Sequence, residues 1–211
     1  STVLIQESTV STGEIIYALA IEAGWEVDTP TSEFIAYSIL SDSLGLTSEA
    51  VTQDTVHTLG DLVAEGVNLA KLDNSRRLLQ KRSLGIVHYK GRLLQRIKLE
   101  ANGAVATIHI PWDEIEKYSH EYNPSMLAID EMRMIEGVKV AIAFKTYPDG
   151  KITAKIRCNY GSAIADQLAE AFNGGGHRYA AGFKIMDKQK YQDIYDRSID
   201  VATKLLEGTA Q

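Results

Sequence analysis

Cysteine is nearly absent: among 211 residues only Cys158 carries a thiol, so no internal disulfide can form. That usage fits a reducing cytoplasm. Long apolar runs are missing as well. The longest, Ile15 to Ile21, falls far short of the roughly 20 residues that cross a bilayer, and no membrane partner is expected. Bases are missing from the first 30 residues, which hold five carboxylates and no Lys or Arg, so no secretory leader is expected there. What is present is ordinary globular composition, with 45% hydrophobic and 24% charged residues. A disordered or collagen-like chain is excluded. A chain of this length buries about 70% of its unfolded surface and needs no metal or disulfide to fold. At roughly 150 residues per domain it accommodates one large domain or two small ones.

The net charge of −6 hides a sharp division. Residues 1–73 carry twelve carboxylates against one base, Lys71, whereas residues 74–98 carry eight bases and no acid. Such asymmetry points to two modules with the basic stretch at their junction. The stretch either neutralises acidic neighbours within the fold or forms a wall that attracts phosphate. An acidic protein of pI 5.4 is no general nucleic-acid binder.

The first part reads as helices. Ser11-Thr12-Gly13-Glu14 has the pattern of a capping box, and Ile15, Ile16, Leu19 and Ala23 mark one face of the helix that follows. A second helix is expected from Thr29 as cap, with Pro30 at its first position, to about Leu40. A third opens at Ser48 or Thr52, with Val56, Leu59, Leu62 and Val63 inward, and a fourth runs from Asn68 to near Leu84. After Gly91 the period changes to two. Strands are expected over 92–100 and 104–110 around Asn102-Gly103, and over 138–145 and 151–157 around Asp149-Gly150. Short helices follow Pro111 and Pro124, another spans 162–172, a strand covers 180–186, and Asp187 caps a last helix. Helices on a small mixed sheet make this half α+β.

The strongest local signal is Gly174-Gly175-Gly176-His177, between a helix and a strand. Consecutive glycines can turn their N–H groups onto an anion as a backbone nest. His177 is placed to donate to a phosphate or to stack on a base. A plain helix-to-strand turn remains the alternative, although three ordered glycines carry an entropy cost that such a turn does not require.

The run from Asn173 to Gly182 resembles the GGGH signature of the DHHA1 domain in the DHH/DHHA1 phosphoesterase family. Other pieces occur in that family's order. Ser11 to Tyr17 resembles the segment after the DHH motif, and Ile39 to Gly45 resembles the DTG segment. Lys155-Ile156-Arg157 resembles the strand that carries a substrate-contacting Arg. The likeness covers about residues 7–186 and is nearest to the nanoRNase and pAp-phosphatase type. It implies an α/β (α+β) fold: the helical C-terminal part of a DHH domain over 1–85, then a DHHA1 domain over 86–211 with a small mixed sheet flanked by helices.

Members of that family hold two manganese ions through the DHH motif, a D-x-D set and the DTG aspartate. This sequence contains neither DHH nor D-x-D, and only Asp42 matches a metal ligand. Its DTG segment reads Asp42-Ser43-Leu44-Gly45, and Cys158 stands where the family has a serine. The expectation is therefore the C-terminal part of a longer, cytoplasmic, Mn2+-dependent phosphoesterase, inactive by itself. By resemblance, Arg157, Gly174, Gly175, Gly176 and His177 bind substrate and Asp42 binds metal. Partners would be short RNA or DNA oligonucleotides or small nucleotides, and a homodimer is allowed. The competing expectations are a nucleotide- or RNA-binding DHHA1 module without catalysis, as in the appendage of alanyl-tRNA synthetases, and a structural fragment. His57, His88, His109 and His120 read as structural or solvated, since no two have metal-binding spacing. Ser11 and Ser162 read as caps.

Overall fold

In the computed structural model, residues 9–208 are described; the chain divides into two compact units, 1–81 and 82–211. The described part of the first unit is helical: α1 (Thr12–Glu22), α2 (Thr29–Asp42), α3 (Gln53–Ala64) and α4 (Leu69–Leu79). Their ends follow the side-chain chemistry of caps. Asp28 rather than Thr29 opens α2, accepting the Thr31 N–H at 3.0 Å. Thr52 and Thr55 form a reciprocal box at α3. At α1 the expected box is not made. The Glu14 carboxylate accepts the Val10 N–H, but the Ser11 hydroxyl is buried and makes no capping bond.

The core of this unit joins Tyr17, Ile35, Ile39, Leu59, Leu62 and Leu72. The expected inner face of α1 is wrong in detail: Ile16 and Leu19 are 50% and 42% exposed, while Gly13, Tyr17 and Ala20 point inward. Two contacts set that rotation. The Tyr17 hydroxyl donates to Glu65 at 2.9 Å, and Gly13 sits so near α2 that a Cβ would lie 3.1 Å from that of Ser38. Likewise Val56 and Val63 lie half-exposed, and Thr55, Leu59 and Leu62 face the core of α3.

The second unit begins with α5 (Leu84–Leu94). This corrects two expectations, a single helix over 68–84 and a strand from 92. Ser83 starts the new helix by accepting the Ile86 N–H at 3.2 Å. Ile86, Tyr89 and Leu93 then bury one helical stripe, a period of 3.6 that runs through the residues taken as strand. The strands are β1 (Lys98–Glu100), β2 (Val105–Ile110), β3 (Val140–Thr146), β4 (Ile152–Cys158), β5 (Gly175–His177) and β6 (Ala180–Ile185). They form one mixed sheet in the order β1-β2-β3-β4-β6-β5. Only β2 and β3 are parallel, joined through α6 (Trp112–Tyr118) and α7 (Pro124–Arg133), as a parallel crossover requires. The Asn102-Gly103 turn joins β1 to β2 through one 3-10 turn, Ala101–Gly103.

Both faces of the central strands are covered, so alternate residues enter different cores. Val140, Ile142 and Phe144 pack toward α8 (Ala165–Glu170) and α9 (Tyr191–Gly208). Ala141 and Ala143 pack toward α5, α6 and α7. The helix expected over 162–172 is thus only α8. Gly161 before it has φ +79°, and the Ala165 N–H is held by the Arg178 carbonyl. Asp187 does not cap α9, which starts four residues later.

His109 stacks on Tyr191, 4.3 Å between ring centres, and its Nε2 lies 3.0 Å from the Thr146 hydroxyl. Burial holds its pKa below the usual imidazole range, helped by Arg96 and Lys98 and opposed by Glu114. The unfolded chain therefore takes up this proton first as pH falls below about 6.5. The folded state loses stability on the acid side and keeps it above. Melting temperatures between pH 7.5 and 5 should fall, and less steeply in His109→Gln; equal slopes would remove His109 as a cause.

Candidate functional site

Cross-strand register defines a face of the sheet that the local sequence only hints at. In β4 the residues Thr153, Lys155 and Arg157 alternate with the buried Ala154, Ile156 and Cys158. Directly paired residues share a face. Arg157 pairs with Ala141 and Ala180, and Ala180 with His177. Lys155 pairs with Ala143 and Gly182, and Gly182 with Gly175. Thr153 pairs with Lys145 and Lys184. Three rows thus place Arg157, His177, Lys155, Lys145 and Lys184 on one face, separated by alanine and glycine. The small residues leave a low floor and the long cations stand over it.

The helix α7 borders this face. Lys145 Nζ donates to Asn123 Oδ1, the N-cap of α7, at 2.6 Å, and Lys155 Nζ lies 3.0 Å from Met126 Sδ. Arg157 donates through Nη1 to the Ile156 carbonyl at 2.9 Å. Among the described residues, none of these five side chains is ion-paired with a carboxylate. The cations oppose one another instead. Burial and then Arg157 hold the Lys155 pKa below the usual lysine range against the pull of Asp130, and burial and then Lys155 do the same for Lys145. An anion laid on this face would relieve that repulsion.

The basic stretch 74–98 behaves differently, and its intramolecular alternative is the one the structure supports. Arg76 and Arg77 bind Asp73, Lys90 binds Glu131, and Arg96 makes a two-pronged bond to Glu114 at 2.7 Å on each arm. Arg92 donates to the Tyr118 hydroxyl, and Arg82 lies over the Tyr122 ring.

The glycine run is not a nest in this structure. Residues 175–177 form the edge strand β5, turned back onto β6 through Arg178 and Tyr179. Two of the three glycines answer to packing. A Cβ on Gly174 would lie 2.4 Å from the Gly182 carbonyl oxygen, and one on Gly176 would lie 2.5 Å from Ala181 Cα. Gly176 also has φ +144°, which disfavours any side chain. Gly175 has open space where a Cβ would be and belongs to the Lys155 row. Packing thus accounts for glycine at 174 and 176, and at 175 it requires none. His177 is exposed at the end of β5.

Asp42 is the exposed last residue of α2. Among the described residues no three His, Cys, Asp or Glu side chains gather to hold a metal ion. The donors here do not fit a resident metal pair, since a single carboxylate supplies one of the several ligands such a site needs. Cys158 is buried, and burial raises its thiol pKa, so it is no ready nucleophile. No helix of the described residues is long and apolar enough to cross a membrane.

A mixed sheet with helices on both sides, a short glycine-rich edge strand and a basic face without carboxylate ion pairs among the described residues characterise the second unit. Residues 101–204 match the DHHA1 domain. Over 184 residues the chain is 27% identical to the bifunctional oligoribonuclease and PAP phosphatase NrnA of Bacillus subtilis, covering 86% of this chain and 56% of that protein. An uncharacterized MG371 homolog of Mycoplasma pneumoniae is 24% identical over 199 residues, covering 90% of this chain and 57% of that protein. The fold matches that of an exopolyphosphatase-related protein from Bacteroides fragilis with a TM-score of 0.80 at 19% identity, over 97% of this chain and 60% of that one. The chain thus spans 56–61% of the length of the relatives it matches.

Proposed function

We propose that this chain is the substrate-holding part of a phosphoesterase that cleaves short oligonucleotides or small nucleotides such as nanoRNA, pAp or cyclic-dinucleotide products. The observation that carries this reading is the face bearing Lys145, Lys155, Arg157, His177 and Lys184, side chains without carboxylate ion pairs among the described residues, in a protein of net charge −6. The sheet holds the phosphate, with Arg157 offering a planar fork and His177 a second donor. Gly175 leaves room for the ligand to approach the backbone. Fixing one end of the substrate limits its length and positions the bond to be cut.

In this account Asp42 contributes to a manganese pair whose other ligands lie outside the described residues. The purified chain should accordingly show no turnover of a dinucleotide or of adenosine bisphosphate with manganese. Turnover that copurifies with the chain through orthogonal columns would contradict this assignment of parts.

A further inference from the structure

The second unit has a cavity on the side of the sheet opposite the basic face. Lys98 of β1 pairs with Thr107 of β2, and Thr107 with Ile142 of β3, which packs toward α8 and α9. Arg157 pairs instead with Ala141, which packs toward α5, α6 and α7. Between β2 and α9 lies a cavity of about 440 Å³, whose lining includes Arg96, Lys98, Thr107, His109, Tyr191 and Tyr195. That volume is within the roughly 300–1,000 Å³ of small-molecule sites. No Asp or Glu lines it, although the protein carries a net charge of −6. Of its two cations, Arg96 is answered from outside by Glu114. Lys98 makes no carboxylate ion pair among the described residues, and its Nζ lies 5.9 Å from the centre of the Tyr195 ring. Glu100, next on the same face of β1, accepts the Tyr195 hydroxyl at 2.6 Å. His109 stacks on Tyr191, and burial, Arg96 and Lys98 disfavour its proton against the pull of Glu114. One unanswered cation among aromatic walls calls for one negative charge on a flat body.

We propose that this cavity is a second ligand site for a small flat monocarboxylate, with the carboxylate on Lys98 and His109 and the flat body against Tyr195. An anion placed there favours the charged imidazole, so the ligand is taken up together with a proton as pH falls. Arg157 and Lys155 stand on the other side of the sheet. The ligand is therefore distinct from the phosphoester substrate, and the site is independent of that reading.

The test is titration of the full chain with benzoate, acetate, benzyl alcohol and phenyl phosphate, read by calorimetry and by amide and ring-proton NMR. Benzoate should bind in the range of about 0.1–10 mM and shift residues 96–98, 107–109, 191 and 195, leaving 153–157 and 175–177 unmoved. Acetate lacks the flat body and benzyl alcohol the charge, and each should bind about 2- to 10-fold more weakly. Lys98→Ala, at an exposed edge position, should weaken benzoate about 2- to 5-fold at low salt. Benzoate stays ionised between pH 8 and 5.5. Over that range its affinity for the wild type should rise about 3- to 10-fold, and His109→Gln should abolish the rise. Benzoate that leaves 107–109 and 191–195 unshifted, or that binds Lys98→Ala and the wild type alike, would overturn the site. Phenyl phosphate bound more tightly than benzoate at these residues would overturn the assignment to a monocarboxylate. A wild-type affinity independent of pH would remove His109 from the site.

Discussion

Replacing Arg157 by alanine should weaken binding of a short nucleotide by about 1.5–3 kcal/mol, the scale of hydrogen bonds to a charged group, or roughly 10- to 100-fold. The side chain is half-buried on a sheet strand, and one arm is already oriented by the Ile156 carbonyl. Little of its freedom remains to be lost on binding. Arg157→Lys should fall between, because an ammonium cannot offer two parallel donors. Lys155 stands in the next row of the same face. The double variant should therefore lose more than either single one, and raising salt should flatten the differences. Isothermal titration at two ionic strengths reads all of these. Binding by Arg157→Ala equal to that of the wild type would exclude Arg157 from the site.

The second large effect separates the three glycines. Gly174→Ala and Gly176→Ala should each destabilise the second unit by about 1–3 kcal/mol or more, through overpacking. The new methyl would overlap the Gly182 carbonyl in one and the Ala181 backbone in the other. Position 176 adds strain at φ +144°. Gly175→Ala meets nothing within 4 Å and should change stability by less than about 0.5 kcal/mol, while reducing nucleotide affinity because its methyl would stand over the Lys155 row. Thermal melts of the three variants decide the matter. Equal melting temperatures at 174 and 175 would contradict the packing assignment, and unchanged affinity at 175 would restrict the glycine run to a structural role.

Much of the fold is legible because its signals are local. Thr52, Asn68 and Asn123 cap their helices through their own side chains, and the Asn102-Gly103 and Asp149-Gly150 turns sit between paired strands. The errors arise where distant residues decide. The face of α1 is fixed by Glu65 and Ser38, far along the chain. The eight-base stretch leaves an intramolecular and a phosphate-binding reading open in the sequence, because the partners that decide for the former, such as Glu114, Tyr118 and Glu131, lie well downstream of it. The site shows the same limit. Arg157 and His177 stand out through their motifs, and Lys155 shares the strand of Arg157. Lys145 and Lys184 join them only through strand register, which no short window of sequence contains.

The most direct test of the central claim is an amide NMR titration of the chain with adenosine 5′-monophosphate. The account predicts shifts concentrated at residues 153–160 and 175–184, with little change across the carboxylate-paired arginines 76, 77 and 96. Shifts that cluster on residues 74–98 and leave 175–177 unmoved would contradict it.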